Sequence, residues 1–267
     1  PFSKQDAQKL LERFGSPLHV YDEAGIRAKA KKISHAFSWS AGYKNYFAVK
    51  AAPTPALLQI LHEEGMGFDC SSRSELVIMQ RMGIPGDDIF FTSNNTPQED
   101  FELAVELGAT VNLDDESQLN SLIEVLRTRK LKRFAARFNP GELKEGNALI
   151  GIPTEAKYGM DVDTLVRVFS KLSSVGVEEF GLHTMVASNE LNSGYFSETA
   201  EILLDAMEHI ERESGVLMSF INLGGGFGVN YRPDEEEFDV AKASVQIKDV
   251  IMERRPGIRI YTENGRY

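Results

Sequence analysis

Tyr46-Phe47-Ala48-Val49-Lys50-Ala51 is an apolar run that closes on a single charge. Seven further short apolar runs follow it. The candidate strands are 45–51, 67–71, 89–94, 110–114, 133–139, 180–187, 220–224 and 258–263. Most are continuous rather than alternating, as expected of parallel strands buried on both faces. Between them lie stretches with helical period. In 99–107 the apolar residues are Phe101, Leu103, Ala104 and Leu107; in 117–126 they are Leu119, Leu122, Ile123 and Leu126. In 197–209 they are Ala200, Leu203, Leu204 and Met207. Eight strand–helix alternations predict an α/β chain closed into a (β/α)8 barrel. A doubly wound open sheet is the competing architecture, and the strand count favours the barrel.

The opening 37 residues stand apart from this rhythm. They read as a helix over 4–14, a strand over 18–21 and a second helix over 23–37, a segment packing on the barrel formed by 38–267. The first residue is Pro1 rather than Met, so the start reads as cut or processed. The stretch 140–158, rich in Gly, Lys and Glu, reads as a mobile surface loop.

Composition narrows the function. The 267 residues carry a net charge of −11, which argues against a nucleic-acid partner. No apolar run approaches the roughly 20 residues of a membrane span. Cys70 is the single cysteine, so no intrachain disulfide forms, which fits a reducing, cytoplasmic setting. No metal-ligand spacing appears.

Active sites of β/α barrels lie at the carboxyl ends of the strands. Lys50 falls at the first of these ends. Alone, such a lysine is an ordinary solvated strand end. Packed among Tyr46, Phe47 and Val49 it would be desolvated, with a lowered pKa suited to forming an imine. The run Gly224-Gly225-Gly226-Phe227-Gly228 follows the seventh strand, where barrels commonly bind phosphate. Its spacing does not match a dinucleotide fingerprint. Glu263-Asn264-Gly265-Arg266 ends the eighth strand. Arg266 can pair with a phosphate, and Glu263 can accept from a protonated ring nitrogen. Together these residues suggest pyridoxal 5'-phosphate. His183 and Ser188 flank the end of the sixth strand, Asp69 and Glu75 bracket the turn after the second, and Arg137 ends the fifth. A lone histidine on an apolar strand is as often a hydrogen-bonded core residue as a catalyst.

The ordered set Tyr46–Ala51, Gly67-Phe68-Asp69-Cys70-Ser71-Ser72 with Glu75, Arg137-Phe138-Asn139-Pro140-Gly141, Lys157-Tyr158-Gly159, Gly181-Leu182-His183, Gly224–Gly228 and Glu263–Arg266 resembles the pyridoxal-phosphate decarboxylases of the alanine-racemase fold. Diaminopimelate decarboxylases are the nearest members. The resemblance implies a Schiff-base role for Lys50 and a ring-nitrogen contact for Glu263. It implies phosphate contacts for Ser188, Gly226, Gly265 and Arg266, with Gly224 and Gly225 in the same run. Asp69 and Glu75 match acidic residues near the lysine, and Arg137 an arginine behind the ring.

The family's ring-stacking histidine, two residues after His183, is Met185 here. Either the thioether packs on the ring or His183 takes that role. The resemblance further implies a small amino-acid substrate and a homodimer with shared sites. It also implies a carboxyl-terminal β domain that these residues do not include, so the chain is expected to be inactive alone. Related decarboxylases of carboxynorspermidine, ornithine or arginine, or a non-catalytic pyridoxal-phosphate carrier, are the rival readings. Glu263, where carriers resemble racemases in placing arginine, disfavours the last.

Overall fold

The computed structural model describes residues 3–144, 158–232 and 234–267. Two helices open the chain, α1 (Lys4–Phe14) and α2 (Glu23–Ala36). The alternation then runs β1 (Lys44–Ala48), α3 (Pro55–Glu63), β2 (Gly67–Cys70), α4 (Arg73–Met82), β3 (Ile89–Ser93), α5 (Gln98–Glu106), β4 (Thr110–Leu113) and α6 (Leu119–Leu126). It continues with β5 (Leu131–Arg137), α7 (Val162–Leu172), β6 (Val177–His183), α8 (Gly194–Ser214), β7 (Met218–Asn222), α9 (Val240–Arg254) and β8 (Arg259–Thr262). Each strand pairs in parallel with the next, and β8 pairs with β1, closing the barrel.

The predicted strand 18–21 does not form. A closed barrel offers no free edge to pair with, and these residues cross the surface without a ladder partner. The helix before it, α1, buries no residue. Its neighbour α2 buries Ala30 and Ile33 and packs against both α3 and α9. It thereby fills the place in the outer ring that a helix after β8 would take. Most predicted strands also extend past the observed ladders. The sixth stops at His183 rather than 187: Thr184 N–H still bonds Asn222 O, the last residue of β7, and no ladder pair follows it because β7 has ended. The predicted mobile loop falls largely on 145–157, outside the described residues.

The interior is layered by the two-residue period of the strands. Tyr46, Phe90, Ala135, Phe220 and Tyr261 form one buried cluster, with Tyr261 5.3 Å from Tyr46 and 5.1 Å from Phe220, ring centre to ring centre. This aromatic floor explains Gly181 on β6. A Cβ there would lie 2.2 Å from the Phe220 ring. Two residues beyond each floor position the chain turns polar or small: Ala48, Thr92, Arg137, Asn222 and Glu263. The other three strands contribute Asp69, Asn112 and His183, which pair with Ala48, Thr92 and Arg137 of that set. The intervening residues, such as Phe68, Phe91, Phe134, Leu182 and Ile221, face outward into the core shared with the helices. A mostly apolar strand thus carries a polar or small residue into the barrel beyond the aromatic floor.

Candidate active site

Above the polar layer opens a cavity of about 730 Å³. Lys50, Asp69, Arg137, His183, Met185, Ser188, Gly226, Glu263, Gly265 and Arg266 all line it, so ten residues singled out from the sequence converge there.

Lys50 does not sit in the strand. β1 ends at Ala48, and Val49–Ala51 form a single 3-10 turn that carries the side chain over the barrel mouth. The expected desolvation is outweighed: the side chain is 62% exposed, and burial lowers the amine less than the charge of Asp69 raises it. Its amine is pushed up rather than down, chiefly by the charge of Asp69, with Glu263 and Glu75 adding to it. Asp69 Oδ2 lies 3.6 Å from Lys50 Nζ, and Oδ1 is buried without a hydrogen-bond partner among the described residues. Burial, then the charge of Glu263, raises the Asp69 carboxyl to about 8, against the pull of Lys50.

Glu263 is buried as well, yet its carboxyl is held low. Burial pushes it up; His183 leads the opposing effects, with Lys50 and Asn222 behind it. Asn222 Nδ2 donates to Oε1 at 2.7 Å, and His183 Nε2 lies 3.2 Å from Oε2. The two buried acids therefore diverge: Asp69 keeps its proton near neutrality and Glu263 gives its proton up. Divergent carboxyls of this kind characterise sites that move protons.

His183, one of the two residues expected to cover a cofactor ring, lines the cavity from a buried position. Its side chain is 1% exposed, both ring nitrogens are engaged, and it rests on Phe90 with ring centres 6.0 Å apart. Met185 lines the cavity too, its sulfur accepting the Gly225 N–H at 3.1 Å. Arg137 is bound on two sides. Its guanidinium pairs with buried Asp114 at 3.0 Å and donates to Met185 O at 3.1 Å. Glu75 lies back from the cavity, where it accepts from Ser71 N–H at 2.9 Å and Ser72 Oγ at 3.0 Å, closing the first turn of α4.

The glycine run divides its work. Gly224 N–H bonds Asn222 Oδ1 at 3.0 Å and Gly225 N–H bonds Met185, so these two build the wall rather than face the cavity. A Cβ on Gly225 would meet Glu263 O at 1.9 Å. Gly226, at φ 105, does line the cavity, and a Cβ there would lie 2.6 Å from Ala187 O. Asn264 ties this run to β1. It accepts from Phe227 N–H at 3.0 Å and donates to Asn45 Oδ1 at 3.1 Å. Arg266 follows, its guanidinium 5.9 Å from the Tyr231 ring centre and without an ion pair among the described residues. A pinched glycine backbone, Ser188 and this arginine line one cavity with the Glu263 carboxylate and the Lys50 amine, a donor set that could hold a phosphate and a protonated ring nitrogen. The set fits pyridoxal phosphate.

Sequence reasoning missed Thr92, Asn112 and Asn222, which complete the polar layer, and Asp114, which pairs with Arg137. The available signal was a polar residue interrupting an apolar strand, as Asn112 does between Val111 and Leu113. Among the described residues, no helix is long and apolar enough to cross a membrane, and no cluster of three or more His, Cys, Asp or Glu side chains could hold a metal ion.

Comparison with known proteins gives a consistent picture. The chain is 34% identical to Protein TabA of Pseudomonas amygdali pv. tabaci over 261 residues, covering 97% of this chain and 61% of that protein. It is 30% identical to the diaminopimelate decarboxylase of Methanothermobacter thermautotrophicus over 252 residues, covering 93% and 58%. The barrel superposes with a TM-score of 0.88 on the crystal structure of diaminopimelate decarboxylase from M. jannaschii in co-complex with L-lysine. That match covers 97% of this chain and 63% of the other at 23% identity, a likeness of fold. The chain thus spans about three fifths of the curated relatives it matches (61% and 58%). A family model described as "Pyridoxal-dependent decarboxylase, pyridoxal binding domain" matches residues 23–267. With this match over most of a closed eight-stranded barrel, the chain belongs to the pyridoxal-dependent decarboxylases and carries their pyridoxal-binding domain.

Proposed function

We propose that the protein containing this barrel decarboxylates an amino acid with pyridoxal phosphate, and that the substrate is meso-2,6-diaminopimelate, giving L-lysine and CO2. The observation that carries the reading is the convergence of Lys50, Glu263 and the Gly226–Arg266 cradle on one cavity.

Pyridoxal phosphate, when bound, supplies an electron sink conjugated to the α-carbon of the substrate. Lys50 would hold the aldehyde carbon and yield it to the incoming amine. Ser188, Gly226, Gly265 and Arg266 would hold the phosphate. Glu263, kept ionised by its donors, would keep a proton on the ring nitrogen. Asp69 can store a proton beside Lys50 Nζ. The α-carboxylate leaves as CO2, the bonding pair stays on the α-carbon, and one proton replaces the lost group.

Diaminopimelate as substrate is supported by its decarboxylases among the relatives, at 27–30% identity. A second reading, a related decarboxylase of another amino acid, is favoured by the 34% match to Protein TabA. The 27% match to the L-glutamyl-[BtrI acyl-carrier protein] decarboxylase of Niallia circulans favours it too. Arg137 is already neutralised by Asp114, so it offers little free charge to a distal carboxylate. We therefore assign recognition of the distal end to residues outside it, shared across a homodimer. We place the protein in the cytoplasm, consistent with its one free, buried cysteine.

Mixing the chain with pyridoxal phosphate, reducing with borohydride and mapping the label by mass spectrometry tests the cofactor site. A label on Lys50 is expected; recovery of unmodified Lys50 counts against it. CO2 release by a chain extended past Tyr267, compared across diaminopimelate, ornithine, arginine and carboxynorspermidine, tests the substrate.

A further inference from the structure

Behind Glu263 lies a buried chain of side chains drawn from four strands. His183 Nε2 faces Glu263 Oε2 at 3.2 Å. On the far side of the ring, Nδ1 lies 3.1 Å from Asn112 Nδ2, which also donates to Thr92 Oγ1 at 3.0 Å. Asn222 completes the set from β7. His183, Asn112, Asn222 and Glu263 are all buried.

The proton positions follow from counting donors. An amide nitrogen has hydrogens and nothing to accept with, so Nδ1 must accept from Asn112. The single hydrogen of a neutral imidazole is then on Nε2, directed at Glu263. Turning the Asn112 amide over changes the partner and keeps this result. Nδ1 would then carry a hydrogen toward Oδ1. Only a further hydrogen on Nε2 would prevent two lone pairs from facing each other at a buried carboxylate. In either arrangement an Nε2–H points at Glu263.

We propose that His183 is a positioning residue that acts through Glu263: its Nε2–H fixes the carboxylate in the orientation that leaves a lone pair aimed into the cavity at a cationic ring nitrogen. The proposal rests on the assignment of the cavity to pyridoxal phosphate. His183 is poorly placed for proton transfer to a substrate, since Asn112 occupies one nitrogen and Glu263 the other. The floor below needs only a flat ring against Phe90, which phenylalanine would also supply. The polar partners on both edges are what call for histidine.

Two measurements test this. In the 15N-histidine-labelled chain without cofactor, NMR should show His183 protonated at Nε2, its resonance moving in Glu263→Gln. An unprotonated Nε2, or a resonance indifferent to Glu263→Gln, overturns the proposal. The chain is then loaded with pyridoxal phosphate labelled with 15N in the ring. The wild type should show a protonated ring nitrogen. His183→Gln, whose amide N–H can stand in for Nε2–H, should retain it. His183→Leu should lose it and bind the cofactor roughly tenfold more weakly, the worth of one hydrogen bond to a charged group. A fully protonated ring nitrogen in His183→Leu overturns the proposal. An unprotonated ring nitrogen in the wild type, with the Nε2–H intact in the cofactor-free chain, overturns it by a different route: the fault is then in the cofactor assignment rather than in the His183–Glu263 pair.

Discussion

Asp69 and Lys50 meet at 3.6 Å across a steep gradient of exposure, the carboxylate side chain 5% exposed and the ammonium 62%. The acid has left water and the base has not. Burial, first among the causes, raises Asp69 from 3.8 to about 8. Between those values the folded chain holds a proton that the unfolded chain releases, so this group's contribution to stability falls as pH rises through that window. Asp69→Asn removes the penalty. It should melt with the wild type at pH 4 and well above it at pH 8, where the window of about four pH units corresponds to roughly 5 kcal/mol at most. Calorimetry at the two pH values decides it; equal shifts at both would exclude the ionisation argument.

Lys50→Ala separates chemistry from folding. The exposed side chain contributes little packing, so stability should stay within about 0.5 kcal/mol. Borohydride labelling should vanish from the chain. In the longer protein, CO2 release should fall about a thousandfold or more, as when a covalent group is deleted. Near-normal turnover in this variant would sink the assignment.

Gly225→Ala and Gly215→Ala make an informative pair. A methyl at 225 would meet Glu263 O at 1.9 Å, so the loops after β7 and β8 would have to part. A loss of about 3 kcal/mol or more is expected, with weaker cofactor binding. Gly215 caps α8 at φ 72 with open space around it, so alanine there should cost only about 1 kcal/mol. Urea unfolding measures both, and comparable losses at the two sites would contradict the close approach.

Arg137→Ala leaves Asp114, 2% exposed at its side chain, without its ion partner. An uncompensated buried charge costs about 3–5 kcal/mol. Asp114→Asn in the same background should recover part of that loss, since it removes the stranded charge. A double variant no more stable than Arg137→Ala would mean that the pair is not the source of the cost.

The architecture was legible in the sequence because it rests on repetition. Eight buried parallel strands must read as apolar runs, and the helices between them must show a 3.6-residue stripe; local pattern reports both. The site residues at strand ends, such as Lys50, Glu263 and Arg266, were legible for the same reason, since barrel topology brings all such ends to one mouth. Environment was not legible. Lys50 looked buried because its sequence neighbours are apolar, yet a 3-10 turn lifts it into solvent. Leu18–Tyr21 alternates like a strand, and closure of the barrel leaves it no edge.

What the sequence by itself determined is the set of parts: a closed α/β barrel and the side chains at its mouth, both dictated by period and position along the chain. What only the tertiary structure decided is which parts touch. His183 and Glu263 are 80 residues apart, and Asn112 and His183 are 71 apart. Their meeting depends on the register of eight strands around a closed circle and on an aromatic floor that sets the height of the layer above it. Those contacts determine which buried carboxyl keeps its proton, because a pKa responds to neighbours in space and to distance from water.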